Sequence, residues 1–411
     1  MKRINQAWPE SLARVPYWVY QDPEILQGEQ RRIFEGPAWN FLCLEIEIPN
    51  AGDWRATHLG AMPVVVARDA DGAIHSFENR CAHRGAEFCR SQRGNTKEFV
   101  CPYHQWSYDL KGNLQGVPFK RGLKGEGGGM PKDFRNEDHG LLQLKVATLD
   151  GVVFASFASE LEPIEEYLGP EILKDFQVVF KGRKLKILGY YRNELPGNWK
   201  LYHENLKDPY HATLLHSFLV TFGLMVAGSK NGMIADAKGR HGTLASAKPD
   251  NVAAAVNAVK GEMRAYREDF KLADGRFLEF VREFDSPWSV TMQTIWPNLI
   301  VQRELNTLGI RHIVPNGPHS MIMLWTMFGY ETDDDEMVRH RLRQGNLMGP
   351  SGFLGLEDNE AIKFVQEGLR RSPSEKGVVK LGGDRLGTTH SVIDEAAIRG
   401  MYAYYRKEMS L

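Results

Sequence analysis

Two short pairs, Cys81-Ala82-His83 and Cys101-Pro102-Tyr103-His104, narrow what this chain can fold into, because each must bring a thiolate and an imidazole to a shared object. Two cysteines with two histidines suit zinc, a disulfide beside unrelated histidines, or an iron–sulfur cluster. Ordinary zinc fingers group both cysteines at one end and both histidines at the other, on a helix. Here each end carries one of each. Two hairpin loops of that kind can bind a two-iron cluster, with cysteines on one iron and histidines on the other. The remaining cysteines, Cys89 between the loops and Cys43 in WNFLCLEIEIP, read as packing thiols.

The pairs lie among short β-rich runs, AMPVVVARD, AIHSFEN, EFVCPYHQWSYD and GVVFASF, punctuated by turns at DG (71–72) and KGN (111–113). Residues 40–157 are therefore predicted to form a small all-β domain, preceded at 1–39 by a segment with a helix over 22–36. From 158 to 411 helical stretches (SELEPIEEYLG, the region 203–218, ETDDDEMVRHRLRQGNL, LEDNEAIKFVQEGLRR) alternate with strands (KLKILGYYRNEL, SVTMQTIWP, LIVQREL, GIRHIVP, SMIMLWTMFGY). That pattern gives an α+β domain built on an antiparallel sheet. The glycine-rich GLKGEGGGMPKD at 122–133 lacks phosphate-loop spacing and reads as a loop. The acidic DDDE at 333–336 reads as a solvated helix start.

With 51 Lys and Arg against 52 Asp and Glu, the net charge of −1 favours neither a nucleic acid nor a membrane partner, which leaves a small molecule or another protein. The longest apolar run, MIMLWTMFG at 321–329, is about half of the ~20 residues a membrane helix needs. Four cysteines and an opening without a secretory stretch predict a soluble protein of the reducing cytoplasm.

A second constellation lies in NWKLYHENLKDPYHATLLHSF, where Asp208, His211 and His216 form D-x-x-H-x4-H. On an ideal helix Asp208 and His211 nearly share a face, whereas His211 and His216 stand ~140° apart. The helix must therefore be irregular, and Pro209 marks the break. Two histidines with one carboxylate are what a non-haem Fe(II) site needs if positions are to stay open for dioxygen.

Through CAHRG, CPYHQWSYDLKG, ENLKDPYH and GPSGFLGLEDNE the chain resembles the large (α) subunits of Rieske non-haem iron aromatic ring-hydroxylating oxygenases. The likeness extends from RVPYWVY to IRGMYAYYRKEM and is strongest toward the branch acting on salicylate, anthranilate and terephthalate. It implies a Rieske domain at 40–157, an N-terminal segment packing on the catalytic domain, and a helix-grip-like catalytic domain at 158–411. Cys81, His83, Cys101 and His104 would hold a [2Fe-2S] cluster. Respiratory Rieske proteins add a disulfide between the loops, but Ala86 and Tyr103 occupy the corresponding places, which points to the oxygenase branch. His211 and His216 would hold iron with Asp358, Glu357 and Glu360 being the competing carboxylates. By the same resemblance the subunits form head-to-tail trimers, in which Asp208 bridges His104 of one chain to His211 of the next. A small β subunit is implied, giving α3β3 with α3 as the alternative, and electrons come from NAD(P)H through a reductase, with or without a ferredoxin. A pure electron-transfer protein is the rival reading from a different class.

The resemblance also bears on substrate. Arg311 in GIRHIVP is expected to aim a guanidinium into the catalytic domain, where it could take a carboxylate bidentately. Terephthalate-type relatives pair such an arginine with a second one, at whose place this chain has Val392, which favours a monocarboxylate over a dicarboxylate. Glu304 stands where salicylate relatives carry glutamine and could accept from an amino substituent, as on anthranilate. His241 and Ser246 are further pocket candidates, with Leu206, Phe353 and Leu354 as apolar walls.

Overall fold

A computed structural model describes residues 7–9, 11–124 and 126–411. The chain divides into two compact units, one spanning Phe34–Leu161 and the other combining the segment that ends at Ile33 with Glu162–Leu411. The division falls slightly outside the limits of 40 and 157 read from sequence. Asn40 Nδ2 donates to the carbonyls of Phe34 and Ala38 at 2.9 and 3.3 Å, which ties residues 34–39 to the small unit.

In the N-terminal segment, strand β1 (Arg14–Pro16) precedes helix α1 (Pro23–Glu29), which Asp22 caps by accepting from the Glu24 N–H. The predicted helix over 22–36 ends early, because Gln30–Phe34 widens into a π-turn. Buried Glu29 explains where α1 docks: it accepts from Trp199 Nε1 at 2.8 Å, Lys200 Nζ at 2.6 Å and Tyr405 Oη at 2.6 Å, all in the larger unit.

The small unit is all-β. Among the described residues its main sheet comprises β2 (Asn40–Leu44), β3 (Asp53–Leu59), β4 (Met62–Arg68), β5 (Ile74–Glu78), β6 (Arg93–Asn95), β10 (Gln143–Leu149) and β11 (Val152–Ser156), in the order β2-β11-β10-β5-β4-β3-β6. A second sheet of β7 (Phe99–Val100), β8 (Ser107–Tyr108) and β9 (Leu114–Gly116) carries the second Cys/His pair at its β7–β8 turn. Both predicted turns form by one device, an aspartate two residues before the bend. Asp69 accepts from Asp71 and Ala73 N–H, and Asp109 accepts from Lys111 and Asn113 N–H. Gly112 follows at φ +87°, where an added Cβ would press on the Phe77 ring at 3.1 Å. The glycine-rich stretch at 122–133 is irregular, with turns, bends and one isolated bridge between Leu123 and Glu126; residue 125 lies outside the described residues.

The larger unit is α+β. Its seven-stranded antiparallel sheet joins β12 (Leu185–Leu195), β13 (Asn231–Ala235), β14 (Gly242–Ser246), β15 (Val290–Ile295), β16 (Leu299–Glu304), β17 (Thr307–Pro315) and β18 (Met321–Tyr330), ordered β12-β18-β17-β16-β15-β14-β13. Every residue of β15, β16 and β17 is buried, so both faces are covered. Helix α3 (Pro170–Phe180) covers one face, where Phe180 packs on Phe328 at 5.7 Å and Gln293 donates to the Ile172 carbonyl. Helix α4 (Trp199–Lys207) lies over the other, and its Lys207 amine donates to Thr294 Oγ1. Helix α8 (Asp335–Met348) begins at the acidic run, with Asp334 as its cap, as the sequence predicts. The short helices α2 (Ile164–Leu168), α5 (Pro209–Ala212), α6 (Ser217–Thr221) and α7 (Val252–Val259), with α9 (Phe353–Arg370) and α10 (Ala396–Met409), make up the other α-helices among the described residues. No helix among the described residues is long and apolar enough to cross a membrane.

Candidate metal centres

The two Cys/His loops of the small unit are built alike. In each, the cysteine N–H donates to the carbonyl five residues on, Cys81 to Ala86 and Cys101 to Trp106, both at 2.9 Å. In each, the N–H four residues on returns to the cysteine carbonyl, from Gly85 and from Gln105. That closure demands positive φ at the fourth residue: Gly85 takes +73° without cost, and Gln105 takes +57°. Both cysteines are buried among Phe88, Phe99, Trp106 and Tyr108. The Tyr108 hydroxyl lies 3.1 Å from Cys81 Sγ and accepts from the Ala82 N–H. The histidines stand outward of them, His83 exposed and His104 half-buried, with ring centroids 4.6 Å apart and His83 stacked on Trp106. Thiols inside and imidazoles outside is the donor arrangement an asymmetrically ligated two-iron cluster requires. Cys89 is a buried thiol pushed up to about 12 by burial, an inert packing residue.

In the larger unit the break at Pro209 is where the second constellation forms. Helix α4 stops at Lys207, and Asp208 leaves it at φ −104°, ψ 92°, capping a four-residue turn by accepting from the Tyr210 N–H at 2.9 Å. The turn carries His211, and a second irregular step places His216 just before the helix Ser217–Thr221. Both imidazoles then meet one carboxylate from α9: Asp358 Oδ1 lies 3.4 Å from His211 Nε2 and 3.1 Å from His216 Nε2. One donor atom from each of the three residues falls within 4.8 Å of the others. Of the three acids considered from sequence, only Asp358 joins this group. Glu357 reaches the far nitrogen of His216, at 2.7 Å from Nδ1, and exposed Glu360 faces Lys363.

Electrostatics favour a cation here. Burial alone would lower both histidines, but Asp208 and Asp358 push His211 up to about 10, and Asp358 with Glu357 raises His216. Burial would raise Asp358, yet the two histidines hold it far below the usual carboxylate range. Two nitrogens and a carboxylate, buried and converging, fit a non-haem iron and leave its remaining positions to other ligands.

Strand register explains what surrounds the triad. Directly opposed residues share a sheet face, so the pairs Ser246↔Val290↔Glu304↔Thr307 and Ile300↔Arg311↔Trp325 put Ser246, Glu304 and Arg311 on the face that α4 covers. Arg311 is fully buried; its guanidinium donates to Tyr202 Oη at 2.6 Å and lies 4.0 Å over the Trp325 ring. Among the described residues no carboxylate pairs with it, and its Nε has no hydrogen-bond partner. Burial pushes Glu304 up to about 7, Arg311 and a hydrogen bond from Gln302 opposing the rise and Asp358 adding to it. Ser246 Oγ is buried without a hydrogen-bond partner among the described residues, and Leu206 and Leu354 are buried.

Two further pocket candidates are placed differently. Both nitrogens of His241 are used within the fold: Nε2 donates to the Tyr167 carbonyl at 2.9 Å and Nδ1 accepts from the Trp296 N–H at 3.0 Å, locking helix Ile164–Leu168 to the sheet. Phe353 is 47% exposed, in a ring cluster with Phe218 and Phe270. Sequence reasoning missed Tyr202, the hydroxyl on Arg311. Its position on the α4 face opposite Glu204 held the signal, because α4 turns Tyr202 and Leu206 to the sheet together.

Comparison with known proteins gives the family and the fold. Residues 38–125 match the Rieske [2Fe-2S] domain family, and residues 183–411 match the ring hydroxylating alpha subunit catalytic domain. The chain is similar to the salicylate 5-hydroxylase large oxygenase component of a Ralstonia species, 48% identical over 98% of this chain and 96% of that one. It is 42% identical to the anthranilate 1,2-dioxygenase large subunit of Burkholderia cepacia, over 97% of this chain and 93% of that one. The fold is that of naphthalene 1,2-dioxygenase from a Rhodococcus species, with a TM-score of 0.77 at 24% identity across 96% of this chain and 94% of that one.

Proposed function

This chain belongs to the ring-hydroxylating oxygenase alpha subunits, enzymes that use a Rieske [2Fe-2S] cluster, a non-haem iron, O2 and electrons from NAD(P)H through a reductase, and from that premise we propose that it hydroxylates an aromatic monocarboxylate. An ortho-substituted benzoate such as salicylate or anthranilate is the substrate class we assign. The observation that carries this is Arg311, a fully buried guanidinium with no carboxylate partner among the described residues. An unpaired buried cation costs several kcal/mol, a cost that an anionic substrate would remove. Val392, at the place of the second arginine, is buried and apolar, which supports one carboxylate rather than two.

In this reading Cys81, His83, Cys101 and His104 hold the cluster, and His211, His216 and Asp358 hold the iron. Bound there, the two groups supply single electrons and a place to activate dioxygen beside the ring. The remaining residues bind and orient. Arg311 and Tyr202 grip the carboxylate, Leu206 and Leu354 keep water from the ring, and Glu304 and Ser246 meet the ring substituent. Asp208 links His211 to His104 of a neighbouring subunit in a head-to-tail trimer, accompanied by a small β subunit as α3β3, in the cytoplasm. Supporting this, Asp208, Glu204 and His211 line an open groove of about 390 Å³ that reaches the surface. Oxygen uptake by the reconstituted enzyme over salicylate, anthranilate, benzoate and terephthalate tests the reading; terephthalate as the preferred substrate would overturn it.

A further inference from the structure

Two consecutive acids on α9 hold opposite edges of one imidazole. Asp358 Oδ1 lies 3.1 Å from His216 Nε2, and Glu357 Oε2 lies 2.7 Å from His216 Nδ1. A neutral imidazole offers a lone pair at only one nitrogen, so the partner of the other decides which one. Nδ1–H donating to Glu357 leaves Nε2 as the free lone pair, on the side where Asp358 and His211 converge.

His216 needs such a restraint. Its backbone is irregular, at φ −87° and ψ 88°, at the head of a five-residue helix, and its side chain makes no capping bond. Its ring contacts, T-shaped with His211 at 5.3 Å and tilted with Phe218 at 6.1 Å, involve neither a stacked face nor a hydrogen bond to Nδ1. His211 is held differently. Its Nδ1 is 3.2 Å from Asp208 but is not aligned for a hydrogen bond. The short, aligned carboxylate contact belongs to His216 alone of the pair.

We propose that Glu357 is a positioning residue for metal binding at the triad, its carboxylate fixing the tautomer and orientation of His216 so that Nε2 faces the ion. This rests on the reading that His211, His216 and Asp358 hold the metal. A carboxylate on the far nitrogen also makes an imidazole a stronger donor. Glu360, one helical turn away and paired with Lys363, has no such contact and serves as the internal control.

The test is Co(II) titration of the full-length chain stripped of its mononuclear iron but retaining its cluster, at fixed pH, followed through the visible ligand-field bands as a difference spectrum, with cluster absorbance and near-ultraviolet dichroism reporting on folding. Glu357→Ala should weaken Co(II) binding roughly 10–100-fold and shift the bands. Glu357→Gln, whose carbonyl can still accept from Nδ1–H, should recover part of that loss, and Glu360→Ala should bind as the parent does. Asp358→Ala must weaken binding in the same assay; if it does not, the metal reading itself fails. With Asp358→Ala weakened, parent affinity in Glu357→Ala overturns the positioning role. Should Glu357→Ala not accumulate folded, Glu357→Met, which keeps the bulk but cannot accept from Nδ1–H, takes its place, and parent affinity in that variant overturns the role equally.

Discussion

Asp208 Oδ2 lies 3.2 Å from His211 Nδ1, within the turn that Pro209 opens and Asp208 caps. Asp208 thus has two structural duties, as the cap of the turn that carries His211 and as the acid beside its outer nitrogen. The duties separate chemically, because asparagine caps a helix about as well as aspartate. Asp208→Asn should keep the fold, the cluster spectrum and the iron content while turnover falls on the order of 100-fold or more, as expected of a residue on the electron route. Unchanged turnover would reduce Asp208 to a cap.

Arg311 should behave as a substrate anchor. Arg311→Lys keeps the charge but loses the planar fork, and should lower kcat/KM for aromatic carboxylates by on the order of 100-fold, about 3 kcal/mol. An uncharged aromatic of the same shape should lose far less. Equal losses for both ligands would mean that the arginine only supports the sheet.

Glu304 governs the substituent rather than the carboxylate. Buried to 2% exposure and pushed up to about 7, it exchanges between donor and acceptor forms near neutrality. Glu304→Gln should move preference between hydroxy- and amino-substituted benzoates by about 10-fold, about 1.4 kcal/mol, with little change for benzoate itself. Competition between salicylate and anthranilate reads this directly.

Burial gives the larger unit an acid sensitivity. It holds His203 down at about 3, assisted by Lys207, and takes His241 well below its ordinary value. Each is neutral when folded, so as pH falls below ~6.5 the unfolded chain takes up the proton first and stability drops. Between pH 7.5 and 5.5 each such histidine should cost about 1.4 kcal/mol. His203→Gln can keep a donor toward the Pro297 carbonyl, now received at 2.8 Å, and should flatten the pH dependence of the melting temperature while lowering it at pH 7.5.

How far the sequence could be read depends on where each contact comes from. Met321–Tyr330 was legible because its apolar run is long, and Leu185–Leu195 because it groups Ile187, Tyr190 and Tyr191, branched and aromatic residues that favour strands. NGMIA and GTLAS, which form β13 and β14, carry too few branched or aromatic residues to announce strands, yet they complete the sheet and deliver Ser246. The cluster loops were legible from spacing alone, since both ligands of each loop lie within one turn. Asp358 could be picked out only through the family resemblance, because nothing local separates it from Glu357 and Glu360; the rotation of α9 brings it alone to both histidines. The use of both His241 nitrogens was not legible, because its two backbone partners lie far off in the chain.

Iron content measured together with oxygen uptake tests the central claim most directly. The purified chain should hold about three irons, two in the cluster and one mononuclear. Asp358→Ala should lose the mononuclear one with the cluster spectrum intact, and reduced parent enzyme should consume oxygen only when an aromatic monocarboxylate is added. About two irons in the parent chain, unchanged in Asp358→Ala and with no uptake over any benzoate, would contradict the account.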